Sequence, residues 1–392
     1  MARATELRQP LTANFELTPC CNMSCDMCFI RHTPQQMSAG GSLSDAASWI
    51  DIARQLMDMG TLFILLTGGE PMLHPEFDTI YHTLRSMGFI ITLNTNGTLI
   101  TEEMCRTTFR EKPRRVNVTL YGSSRATYEQ LCHYGDGFER TMRGLRLLRQ
   151  YGIDTKLNFS LVRANVHEFD EMLALAQELG IPVSASNYMF AVNRSGGDAS
   201  NVTQARLSAE EAARTECHYM KYNEGAGYED KARQMAAQAD EESPVGISLN
   251  CRAGSSSMWV GWNHRITPCV MMGTPCVDLT TGHTYPFDPS GSTPDAHEPA
   301  MPGTASCDNG IAPYDMASAW AWLTQSCLEL PEIDQCGGCR LKHICQVCYA
   351  AAIHEKRQCG SLKYLCDMAN HELTILKQHA KDPIIHKERH LG

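Results

Sequence analysis

No stretch of the 392 residues holds eighteen consecutive apolar side chains, and the N-terminus lacks the basic, apolar and small-residue succession of a signal peptide. A membrane-spanning helix is therefore not expected, and the chain is placed in the cytoplasm. A basic excess is missing too: 34 Lys and Arg stand against 44 Asp and Glu, for a net charge of −10 and a pI near 5.8. That balance argues against a nucleic-acid partner gripped by phosphate neutralisation. There is no internal repeat and no disorder-type composition overall. With 43% hydrophobic residues, a chain of this length can bury a sizeable core and carry more than one domain.

Cysteine, by contrast, is abundant, with 18 residues. In an oxidising compartment such density would suggest a disulfide framework; in a large chain without an export signal it reads as metal ligation. Cys21, Cys25 and Cys28 stand at the spacing C-x3-C-x2-C within Glu16 to Phe29. One loop can aim three thiolates at one centre in this way, with no fourth ligand nearby. A closed structural metal site wants four ligands. Three thiolates would instead hold three irons of a [4Fe-4S] cluster and leave the fourth iron open to an exogenous ligand. Cys20 falls one residue too early for the spacing. A zinc knuckle is the alternative that this loop alone leaves open, because zinc and Fe-S spacings overlap.

From Leu11 to Tyr188 short β-rich runs alternate with amphipathic stretches, the pattern of βα units around a parallel sheet. Strands are expected at Leu62 to Leu66, Phe89 to Leu93, Arg115 to Leu120, Thr155 to Val162 and Pro182 to Tyr188, after a first strand that empties into the cysteine loop. Ser44 is placed as the cap of a helix ending at Gly60, and a later helix runs from Phe169 to Leu179 before Gly180. Six strands each followed by polar or glycine-rich residues define an α/β fold class, a partial (β/α)6 TIM-like barrel. Chemistry in such a fold belongs at the C-terminal strand ends.

The cysteine loop resembles the cluster loop of the radical S-adenosylmethionine (SAM) enzymes, in which the amino and carboxylate groups of SAM chelate the open iron. Gly68-Gly69-Glu70-Pro71, at the end of the second strand, strengthens the resemblance. Glycines let backbone approach a ligand closely, and a carboxylate can accept hydrogen bonds from an ammonium group. The resemblance implies that Gly68, Gly69 and Glu70 bind the amino end of SAM. It puts Asn94, Thr95 and Asn96 beside SAM, where amides and hydroxyls suit ribose hydroxyls or a carboxylate. Phe29 matches the aromatic residue placed against cluster and adenine. Thr119, Tyr121 and Ser123 lie on the exit of the fourth strand, and Tyr121 stands where many members carry Asp. Tyr121 is thus the candidate catalytic residue, open to proton transfer, electron relay or plain packing.

Beyond residue 190 the pattern changes. Residues 191–248 read as a linker and helical bridge, with a capping box at Ser208 to Glu211, and about 279–313 as a loop insertion within a C-terminal, loop-rich domain, 249–392. Cys251, Cys269, Cys336, Cys339, Cys345, Cys348 and Cys366 follow in an order that resembles the SPASM extension of radical SAM enzymes. That extension normally binds two auxiliary [4Fe-4S] clusters. Two residues, not the usual three, separate Cys345 from Cys348. The resemblance assigns Cys251, Cys269 and Cys348 to the first auxiliary cluster and Cys336, Cys339, Cys345 and Cys366 to the second. The first set is one ligand short, with Cys217, Cys276 and Cys359 as candidates to complete it or an iron left open for substrate. Cys105, Cys132, Cys307 and Cys327 fall on helical or loop segments without evident partners.

The resemblance implies one-electron reduction of SAM to a 5′-deoxyadenosyl radical, hydrogen abstraction from substrate, and auxiliary clusters that take the remaining electron or bind substrate. It implies a flavodoxin- or ferredoxin-type reductant and, in the largest group of relatives, crosslinking or oxidation of a ribosomally made peptide. Twenty residues precede Cys21, too few for a winged peptide-recognition domain, so a separate peptide-recognition protein is a further expected partner. Formylglycine formation of the sulfatase-maturase kind or dehydrogenation of a small alcohol is the alternative enzyme reading. A non-catalytic Fe-S or zinc protein for electron transfer or interaction is the alternative from another class; the Gly68 to Glu70 strand end speaks against it.

Overall fold

A computed structural model describes residues 2–32, 43–190, 200–239, 248–249, 251–288, 310–345 and 348–380. The elements begin with helix α1 (Ala2–Glu6) and strand β1 (Thr12–Glu16), followed by α2 (Ala46–Asp58), β2 (Phe63–Thr67), α3 (Phe77–Ser86) and β3 (Ile90–Thr95). Then come α4 (Glu102–Arg106), β4 (Arg115–Leu120), α5 (Arg125–Cys132), α6 (Gly137–Gln150), β5 (Thr155–Ser160), α7 (Phe169–Leu179) and β6 (Val183–Ser186). The remainder is α8 (Ser200–Ala205), α9 (Ala209–Glu224), α10 (Tyr228–Gln238), β7 (Ser257–Val260), β8 (Arg265–Thr267), β9 (Cys276–Asp278), β10 (Thr284–Tyr285), α11 (Met316–Leu328), α12 (Tyr349–Cys359) and α13 (Lys363–His379). Residues 191–199 of the expected linker and 289–309 of the expected insertion, Cys307 among them, lie outside the described residues.

The strands form one ten-stranded sheet in the order β10-β9-β8-β7-β1-β2-β3-β4-β5-β6. The pairs from β7 through β1 to β6 are all parallel, whereas β8, β9 and β10 join as an antiparallel meander. The sheet stays open, so the expected partial barrel is found, with β7 added beside β1. Alternation along the strands builds two different faces. Ile64, Leu66, Ile91, Leu93, Val116, Val118 and Leu120 are buried on one face. On the other, Asn94, Asn117 and Lys156 lie in register, as do Thr119, Asn158 and Ser184, all half-buried. A polar, partly open inner face suits a bound ligand better than a packed barrel core.

Local chemistry sets the element ends. Asp45, not the expected Ser44, caps α2 by accepting from Ser48 N at 2.9 Å, and the Ser44 hydroxyl donates to Trp262 O. The aspartate outcompetes the hydroxyl because an ionised oxygen is the stronger acceptor for an N-terminal amide. Ser208 and Glu211 form the expected capping box on α9. Helix α5, which the strand-centred sequence reading passes over, is capped by Ser124 and ends on His133 in the left-handed conformation.

The chain divides into two compact units: Met1–Arg206 with Leu249–Pro331, and Leu207–Ser248 with Glu332–Gly392. This differs from the boundaries expected from the sequence, because β7 pairs with β1 and carries residues 249–331 into the barrel unit. The second unit packs α9, α10 and α13 around Cys217, Tyr228, Ala232, Met235, Ala369 and Leu376. Within it Glu372 is 4% exposed, and its Oε1 lacks a hydrogen-bond partner. Burial first, then the nearby Glu216, pushes its carboxyl from an ordinary value near 4.5 up to about 8.

The sign of the linkage follows. Between pH 4.5 and 8 the folded chain keeps a proton that the unfolded chain has released, so stability falls as pH rises through that window and levels off above it. The melting temperature should drop by several degrees between pH 5 and 8.5, reflecting a loss on the order of a few kcal/mol. Glu372→Gln should flatten that slope, as thermal unfolding at stepped pH would show; an equally steep slope in the variant would contradict the assignment.

Candidate active site

The cysteine loop is bound to the neighbouring strand end by backbone. Leu17 N donates to Thr67 O, Gly69 N to Thr18 O at 2.7 Å and Glu70 N to Cys20 O at 2.8 Å. A side chain cannot intervene here: a Cβ on Gly68 would lie 2.3 Å from Thr18 O, and one on Gly69 2.3 Å from Cys20 O. The two glycines thus serve the approach of the cysteine loop's own backbone, where the sequence suggests approach of a ligand. On its other side the loop is held by Ser24 N donating to Cys132 O and Asp26 N to Leu131 O, at the end of α5.

Cys21, Cys25 and Cys28 act on one another's charge. Burial, with smaller contributions from Glu70, Cys25 and Cys28, pushes the Cys21 thiol up to about 12. A hydrogen bond with Cys132 and then burial hold Cys25 well above the thiol range, and burial raises Cys28. Backbone amides already point at two of the sulfurs, Met23 N at Cys21 (3.4 Å) and Arg31 N at Cys28 (3.3 Å). Thiols held protonated by burial release their protons to solvent as a metal centre binds. Among the described residues no three Cys, His, Asp or Glu side chains gather closely enough for one metal ion. Cys21 is coupled through charge to Cys25, Cys28 and Glu70. The donor set fits a three-cysteine [4Fe-4S] site.

Glu70 is fully buried beside this loop. Its carboxylate accepts from Thr95 Oγ1 at 2.9 and 3.0 Å, Asn96 N at 2.8 Å and Met72 N at 3.3 Å. Burial still pushes it up to about 7. A cation facing it would pull that value down. Thr95 and Asn96 are engaged within the protein itself. The Thr95 hydroxyl is donated to Glu70. The Asn96 amide donates to Asn22 Oδ1 at 2.8 Å and lies 3.7 Å from Cys21 Sγ, tying strand β3 to the cysteine loop. Asn94 accepts from Asn117 Nδ2 on the inner face, and Thr119 is half-buried on the same face. Phe29 is half-buried on the loop after Cys28.

Tyr121 leaves β4 with its hydroxyl hydrogen-bonded to Cys25, and burial together with the charges of Cys25, Cys132, Cys21 and Cys28 keeps it protonated. It stands edge-on to Tyr128, ring centroids 5.9 Å apart, and its carbonyl accepts from Asn165 Nδ2 at 2.8 Å.

Three residues here escape the sequence reading. Cys132, expected to lack a partner, is the thiol at Cys25. Glu168 accepts from Ser123 N, Ser124 Oγ and Thr127 Oγ1 at 2.5 to 2.7 Å, fixing the turn after β4; burial pushes its carboxyl up, but these hydrogen bonds hold it below its usual value. Glu16, 1% exposed, accepts from Trp259 Nε1 at 2.8 Å and so joins β1 to β7. Only Glu16 carried a signal, an acidic residue ending an otherwise buried strand.

The later cysteines divide between the units. Cys251 and Cys269 belong to the first; Cys336, Cys339, Cys345, Cys348 and Cys366 belong to the second. Within the second, Cys336 and Cys366 are raised first by burial, each also by the charge of Cys339, while Lys356 and Lys342 act oppositely on Cys336. Cys345 packs against the core of that unit, and Cys348 caps α12, accepting from Ala351 N at 3.3 Å.

A six-stranded parallel partial barrel with a three-cysteine loop after its first strand defines a class, and comparison agrees: residues 15–189 match the radical SAM superfamily. Residues 15–189, with the cysteine loop and Glu70, thus form a radical SAM domain. An AdoMet-dependent heme synthase of Nitratidesulfovibrio vulgaris is 23% identical over 274 residues, covering 67% of this chain and 74% of the relative. The PqqA peptide cyclase of Gluconobacter oxydans is 29% identical over 44% of this chain and 47% of its own length. AlbA of Bacillus subtilis, an antilisterial bacteriocin subtilosin biosynthesis protein, is 27% identical over 47% and 41%. The chain thus spans about half the length, or less, of these last two relatives. Among solved structures, anSMEcpe with bound AdoMet and a peptide aligns over 94% of this chain and 99% of its own, with TM-score 0.56 and 14% identity. Streptococcus suis SuiB bound to S-adenosylmethionine aligns over 67% and 60%, with TM-score 0.51 and 17% identity. Both likenesses are of fold. No helix among the described residues is long and apolar enough to cross a membrane.

Proposed function

We propose that the chain is a radical SAM oxidoreductase of the SPASM kind that crosslinks or oxidises a ribosomally synthesised peptide. The observation that carries this reading is the convergence of Cys21, Cys25 and Cys28 with the buried Glu70 carboxylate at the C-terminal ends of β1 and β2. When bound, a [4Fe-4S] cluster with SAM supplies a radical able to take hydrogen from an unactivated C–H bond, and two auxiliary clusters supply an electron acceptor.

The chain's own residues do the rest. Cys21, Cys25 and Cys28 would hold three irons of that cluster, and Glu70, kept in place by Thr95 and Asn96, would accept hydrogen bonds from the amino end of SAM. Tyr121, keeping its proton, would donate a hydrogen bond to the Cys25 sulfur and so govern the electron density on that ligand. The polar inner face around Asn94, Asn117, Thr119 and Asn158 orients substrate and limits water. Cys336, Cys339, Cys345 and Cys366 would hold one auxiliary cluster, and Cys251 and Cys269 would contribute to the other. A flavodoxin- or ferredoxin-type protein delivers the electron, and a separate protein presents the peptide.

A second reading rests on the heme synthases of Nitratidesulfovibrio vulgaris and Methanosarcina barkeri among the relatives, and takes a tetrapyrrole as substrate. Reduced protein incubated with SAM and either a Cys-rich or repetitive peptide or a tetrapyrrole separates the two. Deoxyadenosine formed with loss of hydrogen mass from the peptide supports the first; a mass change confined to the tetrapyrrole overturns it in favour of the second.

A further inference from the structure

The first auxiliary set is one thiolate short when read from the sequence, and the structure supplies a thiol at that place. Gly254 takes a left-handed φ of +64° in the turn that follows Cys251, closed by Gly254 N donating to Ser257 O at 2.9 Å. The side of Gly254 that a Cβ would occupy is filled by Cys327. That point lies 2.3 Å from Cys327 Sγ and 3.6 Å from the Cβ of Pro268, the residue before Cys269. Three segments distant in sequence, the Cys251 turn, the Pro268-Cys269 strand exit and the end of α11, therefore meet at one glycine.

Their arrangement is fixed from outside. Asp315 caps α11 by accepting from Ser318 N, Met316 N donates to Gln55 Oε1 at 3.1 Å and Trp320 Nε1 donates to Arg8 O at 2.8 Å. Two of these bonds reach other parts of the same unit and hold the helix that carries Cys327. The Cys327 sulfur is near enough to Cys269 and Cys251 for their charges to act on it. All three thiols belong to the first unit. Cys276, a candidate from the sequence, instead feels Arg265 and Asp278, and Cys217 sits with Tyr228, Glu216 and Glu372.

We infer that Cys327 is a ligand of the first auxiliary [4Fe-4S] cluster, joining Cys251 and Cys269 and closing the position that the sequence pattern leaves open. This rests on the auxiliary-cluster reading above. As the sulfur–iron bond forms, the Cys327 thiol releases its proton to solvent. Cys251, Cys269 and Cys327 would then give that cluster three thiolates from one unit.

The test begins from C21A/C25A/C28A, which retains the auxiliary sites alone and should bind about eight irons per chain after anaerobic reconstitution. Adding Cys327→Ala should lower this to about four, and adding the near-isosteric Cys327→Ser should either do the same or change the electron paramagnetic resonance spectrum of the reduced protein. Cys276→Ser in the same background should leave both unchanged. Eight irons and superimposable spectra in both Cys327 variants overturn the ligand assignment while leaving the auxiliary clusters standing. A parent variant holding no more than about four irons overturns the two-cluster reading, and Cys327 with it.

Discussion

Gly69→Ala should lower SAM cleavage by about a hundredfold or more although no ligand is touched. The added methyl would lie 2.3 Å from Cys20 O, 2.6 Å from Cys20 C and 2.7 Å from Pro19 O, all backbone atoms of the cysteine loop. The loop cannot give way without breaking the bonds from Gly69 N to Thr18 O and from Glu70 N to Cys20 O. A displacement on the order of 1 Å at a reacting centre costs about 10²-fold in rate. Deoxyadenosine formation and iron content report the two halves of the effect: the rate should fall, and the iron lost should be only that of the loop cluster. A variant that cleaves SAM at the wild-type rate would show that the glycine does not set the loop's position.

Glu70→Gln should weaken SAM binding by about 30-fold or more and remove its acid limb. Truncating one charge of a buried hydrogen-bonded pair costs about 2–5 kcal/mol. In the protein without SAM the Glu70 carboxyl sits at about 7, so below that pH it is neutral and must lose a proton before both its oxygens can accept from the amino group of SAM. Affinity should therefore rise as pH increases towards 7. Binding titrations from pH 5.5 to 9 should give an affinity that rises up to about pH 7 and then levels off for the natural chain. The variant should give a curve flat on the acid side. An acid limb that persists in Glu70→Gln would assign the titration to another group.

The parts of the molecule legible in sequence are those where local chemistry and tertiary context agree. Strand Arg115–Leu120 and helix Phe169–Leu179 occur with the expected bounds because alternation, apolar spacing and a terminal glycine all point one way. The cysteine loop after β1 and Glu70 after β2 stand at the strand ends where the sequence pattern puts them. What escaped depends on long-range contact. Thr95 and Asn96 sit where a ligand contact is plausible, but their partners Glu70 and Asn22 come from other strand ends.

Cys132 and Cys327 have no motif of their own. Each lies at the C-terminal end of a helix, and only the register of that helix against a distant turn brings its sulfur to another thiol. The pairing of β7 with β1 was invisible for the same reason. A short apolar run such as Ser257–Val260 carries no mark of the neighbour it will join, so the segment from Leu249 falls with the barrel instead of with the later cysteines.

The central claim is that Cys21, Cys25 and Cys28 hold a cluster at which SAM is reduced. The measurement that reaches it most directly is iron and sulfide content after anaerobic reconstitution, combined with deoxyadenosine formation under dithionite, in the natural chain and in C21A/C25A/C28A. The account predicts about twelve irons in the first and about eight in the second, with deoxyadenosine from the first alone. Zinc in place of iron, or deoxyadenosine from neither protein, would contradict it.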